Sequence, residues 1–307
     1  MNNSNQKYVK SFLNYTGGKY KLLPQLIDKF PRDFDVFYEI CCGSGVVSVN
    51  MSNIFPNNKF VLNDLELKLI ELFNFLHSNN LDVVLEDIDN IIFEYKLSDT
   101  SKYGYKFYDT NSSTGLAKVN KESYLKLRDD YNKGVINYSK ELMLYVLIVY
   151  SFNNQIRFNK SGDFNLPVGK RDFNNSMRAK LIQTVDIIQK NHFEFTAKKF
   201  NCIENIKAND FVYVDPPYLI SNASYNEQGV WGVNEEKLLY KFLDDLNQQG
   251  TKFAVSNVIM HKGSENEILK NWSKQYNIHV LNINYNNSNY QSIAKKYVTK
   301  EILVTNY

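Results

Sequence analysis

Three short β-rich runs in this chain each stop on residues that cannot continue a strand, and that pattern constrains the fold most. Val36 to Ile40 halts at Gly43-Ser44-Gly45, Phe60 to Leu62 at Asn63-Asp64, and Phe211 to Val214 at Asp215-Pro216-Pro217-Tyr218. Around them lie stretches with apolar residues at helical spacing. Leu22, Leu23, Leu26, Ile27 and Phe30 form one, ended by Pro31; Leu65, Leu69, Leu72, Phe73 and Leu76 form another; Leu238 to Leu246 form a third, stopped by Gly250. Further strands read over Phe253 to Ser256 and Ile302 to Val304. Alternating strands and helices predict a doubly wound α/β sheet, with ligands at the carboxyl ends of its strands.

From about His77 to Lys190 the alternation lapses into a polar, tyrosine-rich stretch with loop-like regions at Thr100 to Thr114 and Phe152 to Asn175. It reads as an insertion, which predicts one domain from 1–76 and 191–307 and a second from 77–190. The 307 residues, 43% hydrophobic and 22% charged, suit a soluble globular chain of one large or two moderate domains. The longest apolar run, Leu142 to Tyr150, falls short of the roughly 20 residues that span a bilayer and reads as buried core. The opening Met1 to Lys7 is polar and offers no apolar signal region, so a cytoplasmic protein away from membranes is expected. Cys41, Cys42 and Cys202 make neither a disulfide framework nor a zinc spacing, and the four histidines are scattered, so no metal site is expected. A net charge of +3 permits a nucleic-acid partner if the basic residues are gathered locally.

The sharpest chemical signal is Asp215-Pro216-Pro217-Tyr218. A residue before proline is pushed toward extended geometry, so Asp215 projects from the strand's carboxyl end. Pro217 has no N–H, which leaves the Pro216 carbonyl as an acceptor beside the Asp215 carboxylate. An exocyclic amine on adenine is a poor nucleophile because its lone pair is delocalised into the ring. Two acceptors on its hydrogens favour a pyramidal nitrogen and aim the lone pair at an electrophilic methyl group. Tyr218 adds a face on which an extruded base can stack. Taken alone, the four residues also fit a Pro-Pro turn with an aspartate cap.

Two glycine-bearing turns accompany it. Gly43-Ser44-Gly45 follows Phe37-Tyr38-Glu39-Ile40-Cys41-Cys42 and lets backbone approach a ligand, but Ser48 spoils a dinucleotide fingerprint and no P-loop lysine follows. Asp64, ending the next strand, is placed to bond ribose hydroxyls. Gly17-Gly18-Lys19, at a helix entry, suits a carboxylate or phosphate or forms a simple turn with an exposed lysine.

Together and in this order, Tyr15-Thr16-Gly17-Gly18-Lys19, Gly43-Ser44-Gly45, Asn63-Asp64, Asp215 to Tyr218 and the closing Glu301 to Asn306 resemble the Dam-type, α-group DNA adenine methyltransferases over nearly the whole chain. The resemblance implies a Rossmann-like sheet that uses S-adenosylmethionine, with an inserted, mainly helical target-recognition domain bearing a β-hairpin. It implies adenine N6 methylation of duplex DNA by base flipping, with Asp215, Pro216, Pro217 and Tyr218 catalytic. Tyr15, Lys19, Glu39, Gly43, Ser44, Gly45, Asp64, Phe200 and Asp215 would line the cofactor site, although Lys199 stands where the family often has aspartate before the aromatic residue.

Phe152 to Asn159, with Gly162 and Phe164 to Gly169, resembles the family's DNA-reading hairpin. Asn153, Gln155 and Arg157 alternate, so a strand would put them on one face. Arginine reads guanine and Asn or Gln reads adenine; Phe152 could wedge into the base stack, and Asn165 and Pro167 complete the reading set. Lys160, Lys170, Arg171 and Arg178 would hold phosphates. Asn14 and Gln155 stand where readers of GATC have a lysine and an apolar residue, so the expected target shares a guanine with GATC and differs elsewhere. Alternatives are methylation of RNA adenine or cytosine N4, and a non-catalytic DNA-binding relative. A cognate restriction endonuclease is a possible partner in the same system.

Overall fold

The computed structural model describes residues 8–15, 17–135, 137–220, 231–282 and 299–307. Met1 to Lys7 and Thr16 lie outside them. The chain divides into two compact units, Met1–Gly18 with Leu67–Lys190 and Lys19–Glu66 with Asn191–Tyr307.

Among the described residues the second unit is built on a single sheet of eight strands: β1 (Val36–Ile40), β2 (Lys59–Asn63), β3 (His192–Thr196), β4 (Phe211–Val214), β5 (Lys252–His261), β6 (Ser264–Glu265), β7 (Asn277–Leu281) and β8 (Lys300–Thr305). Their order is β3-β2-β1-β4-β5-β8-β7, with β6 paired to β5. The five strands from β3 to β5 are parallel; β8 runs antiparallel to β5 and β7. The chain winds outward from β1 in one direction and from β4 in the other, so the switch point lies between these two strands. Helix α1 (Leu23–Lys29), preceded by the 3-10 turn Lys19–Leu22, follows the sequence reading closely, whereas α2 (Val46–Ile54), directly after Gly45, was not read from the sequence.

Strand periodicity sorts the core into two faces. On one, Phe37, Phe60 and Phe211 pack with Phe30 and Phe34, ring centroids 5.0 to 6.2 Å apart. On the other, Tyr38, Ile40, Val212, Val214, Val255 and Val304 pack against Leu239, Leu243 and Leu246 of a long helix, Val233–Gln248. Glu236 of that helix is fully buried and accepts from Trp231 (3.2 Å), Tyr240 (2.6 Å) and Asn266 (2.6 Å).

The other unit is helical: α3 (Leu67–Ser78), α4 (Leu81–Glu94), α5 (Thr100–Tyr103), α6 (Ala117–Lys133), α7 (Lys140–Tyr150) and α8 (Asn175–Lys190). Helix α7 is its centre. Every residue from Leu142 to Tyr150 is buried, with α3, α4 and α6 packed around it, as expected of that apolar run. No helix among the described residues is long and apolar enough to cross a membrane.

The units part at Gly18 and Glu66, where the sequence reading kept 1–76 together with the sheet. Aromatic packing is the reason: Phe12 lies 5.2 Å from Phe73 of α3 and 5.7 Å from Tyr145 of α7. The expected helical stripe from Leu65 is shorter than read, since Leu65 and Leu67 are both 54% exposed and α3 starts at Leu67. Thr100 to Tyr108, read as loop, forms α5 and a 3-10 turn. Buried Asp172 organises this segment by accepting from the Thr100 amide at 2.7 Å and hydroxyl at 2.8 Å.

Glu236→Ala should cost roughly 3 kcal/mol or more, because it leaves several buried donors without their acceptor. Urea denaturation measures this, and a loss below about 1 kcal/mol would mean those donors are not dependent on the carboxylate.

Candidate active site

The ends of adjacent strands bring the acidic residues together. Ile40 pairs with Val214 across the switch point, and the Asp215 amide donates to the Ile40 carbonyl at 3.3 Å. Glu39 lies one residue back on β1, and Asp64 follows β2. Period-two alternation puts Tyr213 and Asp215 on one side of β4, with Ser256 of β5 and Glu301 of β8.

On that side lies a buried charged cluster. The Lys19 ammonium, on a side chain only 5% exposed, sits 2.6 Å from Asp215 Oδ2 and 3.5 Å from Glu301 Oε1. It also donates to the Tyr218 hydroxyl at 2.6 Å. That hydroxyl is within donating distance of Asp215 Oδ1 (3.0 Å) and Glu301 Oε1 (3.1 Å). Ser256 donates to Asp215 Oδ1 at 3.0 Å and lies 2.8 Å from the Tyr213 hydroxyl. Burial alone would push the Lys19 ammonium down, but the two carboxylates outweigh it and hold its pKa above the ordinary lysine value. Burial raises Asp215, with the Lys19 charge pulling it partly back.

Lys19, offered by the sequence to a ligand's carboxylate, thus has its charge engaged by protein carboxylates. Glu301, Ser256 and Tyr213 were not singled out by sequence. The available signal for Glu301 was an acid beside the apolar residues Ile302 to Val304, where a strand with one solvated face would alternate.

At β1 and β2 the turn takes left-handed backbone at Cys41, Gly43 and Gly45, with φ of 57°, 48° and 62°. Asp64 fastens it, accepting from the Gly43 amide at 2.9 Å and the Glu66 amide at 3.1 Å. Glu39 is buried and accepts from the Ser48 amide of α2 at 2.7 Å. Phe200 is buried, its ring centroid 5.8 Å from Phe242 and 6.2 Å from Trp231. Tyr15 belongs to the helical unit, where its carbonyl accepts from Gly18 at 3.1 Å. Among the described residues no three His, Cys, Asp or Glu side chains are grouped to hold a metal ion, and the three cysteines are free.

The candidate reading surface lies in the helical unit, in an irregular loop rather than a regular hairpin. Only the bridges Ser151–Val168 and Phe158–Phe164 join its arms as strands would. The expected strand through Asn153, Gln155 and Arg157 is absent, because Asn153 and Asn154 adopt φ of 57° and 51°. The Asn154 side chain instead reaches back to the Val149 carbonyl at 2.5 Å, closing the end of α7. The loop base is tight: a Cβ on Gly169 would lie 2.1 Å from the Ser151 carbonyl oxygen, so only glycine fits.

Phe152 stands out, 51% exposed, while its amide donates to the Pro167 carbonyl at 2.8 Å. Arg157 is clamped by Asn165, to the side-chain oxygen at 2.8 Å and the carbonyl at 3.2 Å. Asn14 comes to the same place, donating to Asn154 Oδ1 at 3.1 Å and accepting from Lys180 at 2.9 Å. Lys180, which sequence reasoning missed, brings a cation to the position where Asn14 carries none. Lys160 and Lys170 are exposed. Arg171 bonds the Tyr105 hydroxyl at 3.3 Å and the Ser112 carbonyl at 3.1 Å, and Arg178 pairs with Asp89.

An open, mostly parallel sheet with Asp-Pro-Pro-Tyr leaving the strand beside its switch point defines an α/β protein of the methyltransferase type. The chain belongs to the D12 class N6 adenine-specific DNA methyltransferase family, whose model matches residues 15–287. It is 37% identical to modification methylase StsI of Streptococcus sanguinis over 99% of this chain and 44% of that protein. It is 36% identical to type II methyltransferase M.FokI of Planomicrobium okeanokoites over 98% of this chain and 43% of the relative. The chain thus spans less than half the length of these two proteins. DNA adenine methylase of Escherichia coli (strain K12) is 21% identical over 94% of this chain and 93% of its own length.

Burial pushes the Glu39 carboxyl up to about 7 from 4.5, against the pull of Ser48. A raised acid keeps a proton that the unfolded chain releases, so its contribution is complete below pH 4.5 and is lost as pH rises through about 7. Glu39→Gln should remove this dependence, which amounts to roughly 3 kcal/mol. Denaturation of both proteins across this window measures it; parallel stability curves would contradict the assignment.

Proposed function

We propose that this chain transfers a methyl group from S-adenosylmethionine to adenine N6 in a short duplex DNA target. The observation that carries the reading is Asp215, placed at the switch point by β1–β4 pairing and only 21% exposed, in a chain of the D12 family. The acids Glu39 and Asp64 at neighbouring strand ends suit a ligand bearing ribose hydroxyls and a positive charge, while Asp215 at the third end serves the amine. A phosphate-rich dinucleotide would meet the same carboxylates unfavourably, with Lys19 already paired.

In this reading the Gly43-Ser44-Gly45 turn, Asp64, Glu39 and Phe200 hold the cofactor. Bound S-adenosylmethionine supplies an electrophilic sulfonium methyl and leaves as a neutral thioether. Asp215 and the Pro216 carbonyl hold the two amine hydrogens and direct the nitrogen lone pair; the nitrogen gains the methyl and releases one proton, which Asp215 can take. Tyr218 lies against the flipped base, since N6 inside a duplex cannot reach a carboxylate at a strand end. The helical unit reads the target through Phe152, Gln155, Arg157 and Asn14, with Lys160, Lys170 and Arg171 toward phosphates. The relatives named modification methylase and type II methyltransferase support a modification role, and in this reading the chain works in the cytoplasm beside a cognate restriction endonuclease.

Asp215→Ala should reduce methyl transfer by at least about a thousandfold while S-adenosylmethionine affinity changes little. Single-turnover transfer to duplex DNA, RNA and adenine-free G·C duplexes, beside calorimetry of cofactor binding, tests both the role and the substrate. Transfer to RNA alone, or wild-type turnover in the variant, would overturn the reading.

The target should share a guanine with GATC, read by Arg157, and differ at another base. Lys180→Met should relax one position, and Gln155→Leu another, by about 1–3 kcal/mol each. Sequencing modified adenines in expressing cells reads this directly; methylation at GATC in every context, unchanged by either variant, would rule it out.

A further inference from the structure

Asp215 is heavily occupied for a group that must receive an amine. Its Oδ1 accepts from Tyr218 and Ser256, each at 3.0 Å, and its Oδ2 carries the Lys19 ammonium at 2.6 Å. A carboxylate has about four lone-pair directions, so Oδ1 is filled. An amine arriving at Oδ2 must compete with a full positive charge. That charge also weakens the carboxylate's hold on an amine that becomes cationic as it is methylated.

The ammonium has a second seat. Glu301, only 2% exposed, offers Oε1 at 3.5 Å from Lys19, an ion pair looser than the 2.6 Å contact with Asp215. Less than an ångström of side-chain movement would close it. The Tyr218 hydroxyl, between Asp215 at 3.0 Å and Glu301 at 3.1 Å, can bond either carboxylate. A buried carboxylate next to Asp215 would otherwise repel it without benefit.

Resting on the methyltransfer reading, we propose that Glu301 is a positioning residue that takes the Lys19 ammonium when the target amine engages Asp215, restoring Asp215 as a free anion. Glu301 never touches the base. It acts through Lys19 and Tyr218, and the cluster keeps the same net charge before and after the handover. Among the described residues the charged and titratable groups facing it are Lys19 from the 3-10 turn, Tyr213 and Asp215 at the end of β4, and Tyr218 in the following loop. Glu39 of β1, opposite Tyr213, adds its charge to Asp215 from the neighbouring strand.

Glu301→Gln removes the second seat and keeps the shape. The methylation plateau in single turnover should fall about 10- to 100-fold with duplex affinity little changed. The acid limb of the rate–pH profile should move to lower pH, because a negative neighbour of Asp215 has gone. Glu301→Asp should restore part of the rate. Lys19→Met/Glu301→Gln should lose less than the two single losses multiplied together, since no ammonium is then trapped on Asp215. A merely structural glutamate would give independent losses, so the double variant is the arm that separates a handover from a simple neighbouring charge. In the free protein, Lys19 followed by NMR of its side-chain methylene should titrate lower in Glu301→Gln than in wild type. An unmoved acid limb, multiplicative losses or an unmoved Lys19 titration each overturns the proposal. If wild type methylates no adenine, the functional reading itself fails, and the Lys19 titration still decides whether the two side chains share the charge.

Discussion

The parallel pairing of β1 with β4 is the constraint on which the sheet unit's chemistry depends. Because Ile40 stands opposite Val214, both strands end at the same level, and the Asp215 backbone is tied to the end of β1. Shifting β4 by one residue in this register would turn Phe211 out of the aromatic face and Asp215 to the opposite side. The same packing that buries the phenylalanines thus fixes where the acid points. Stability and the candidate chemistry are set by one alignment.

Electrostatics then follow from crowding. Burial places Glu39 and Asp215 where their charged forms are disfavoured, and the protein answers differently at each. Glu39 receives a backbone amide from the helix that follows it, whereas Asp215 receives a lysine carried in from a distant part of the sequence. The first solution is local and rigid. The second rests on a long flexible side chain with two acceptors, which gives the site an ammonium that can move without leaving it.

Much of the sheet was legible because its central strands are continuous apolar runs that end sharply, at Gly43, at Asp64 and at Asp215. The edge strands were not. His192–Thr196 alternates exposed and buried residues over only five positions, and Asn277–Leu281 is mostly exposed, so neither stands out as apolar. Asp215 and Tyr218 announced themselves by their neighbours. Glu301 and Lys180 did not, since each matters through a partner far away in the chain: Lys19 for one, Asn14 for the other. The reading loop misled for a different reason. Alternating residues suggested a strand, but two asparagines tolerate left-handed backbone and close the end of α7 instead.

Arg157 is held before anything binds it. An exposed arginine ordinarily samples many rotamers, and fixing it on a target costs part of the contact's value. Asn165 holds one edge of the guanidinium through two hydrogen bonds, so that ordering is completed during folding. On the proposed reading this divides the labour inside one loop: Asn165 would influence which base is accepted without touching it. A guanidinium fixed in one plane would meet a mismatched edge with its geometry unchanged, and so would discriminate by refusing to adapt.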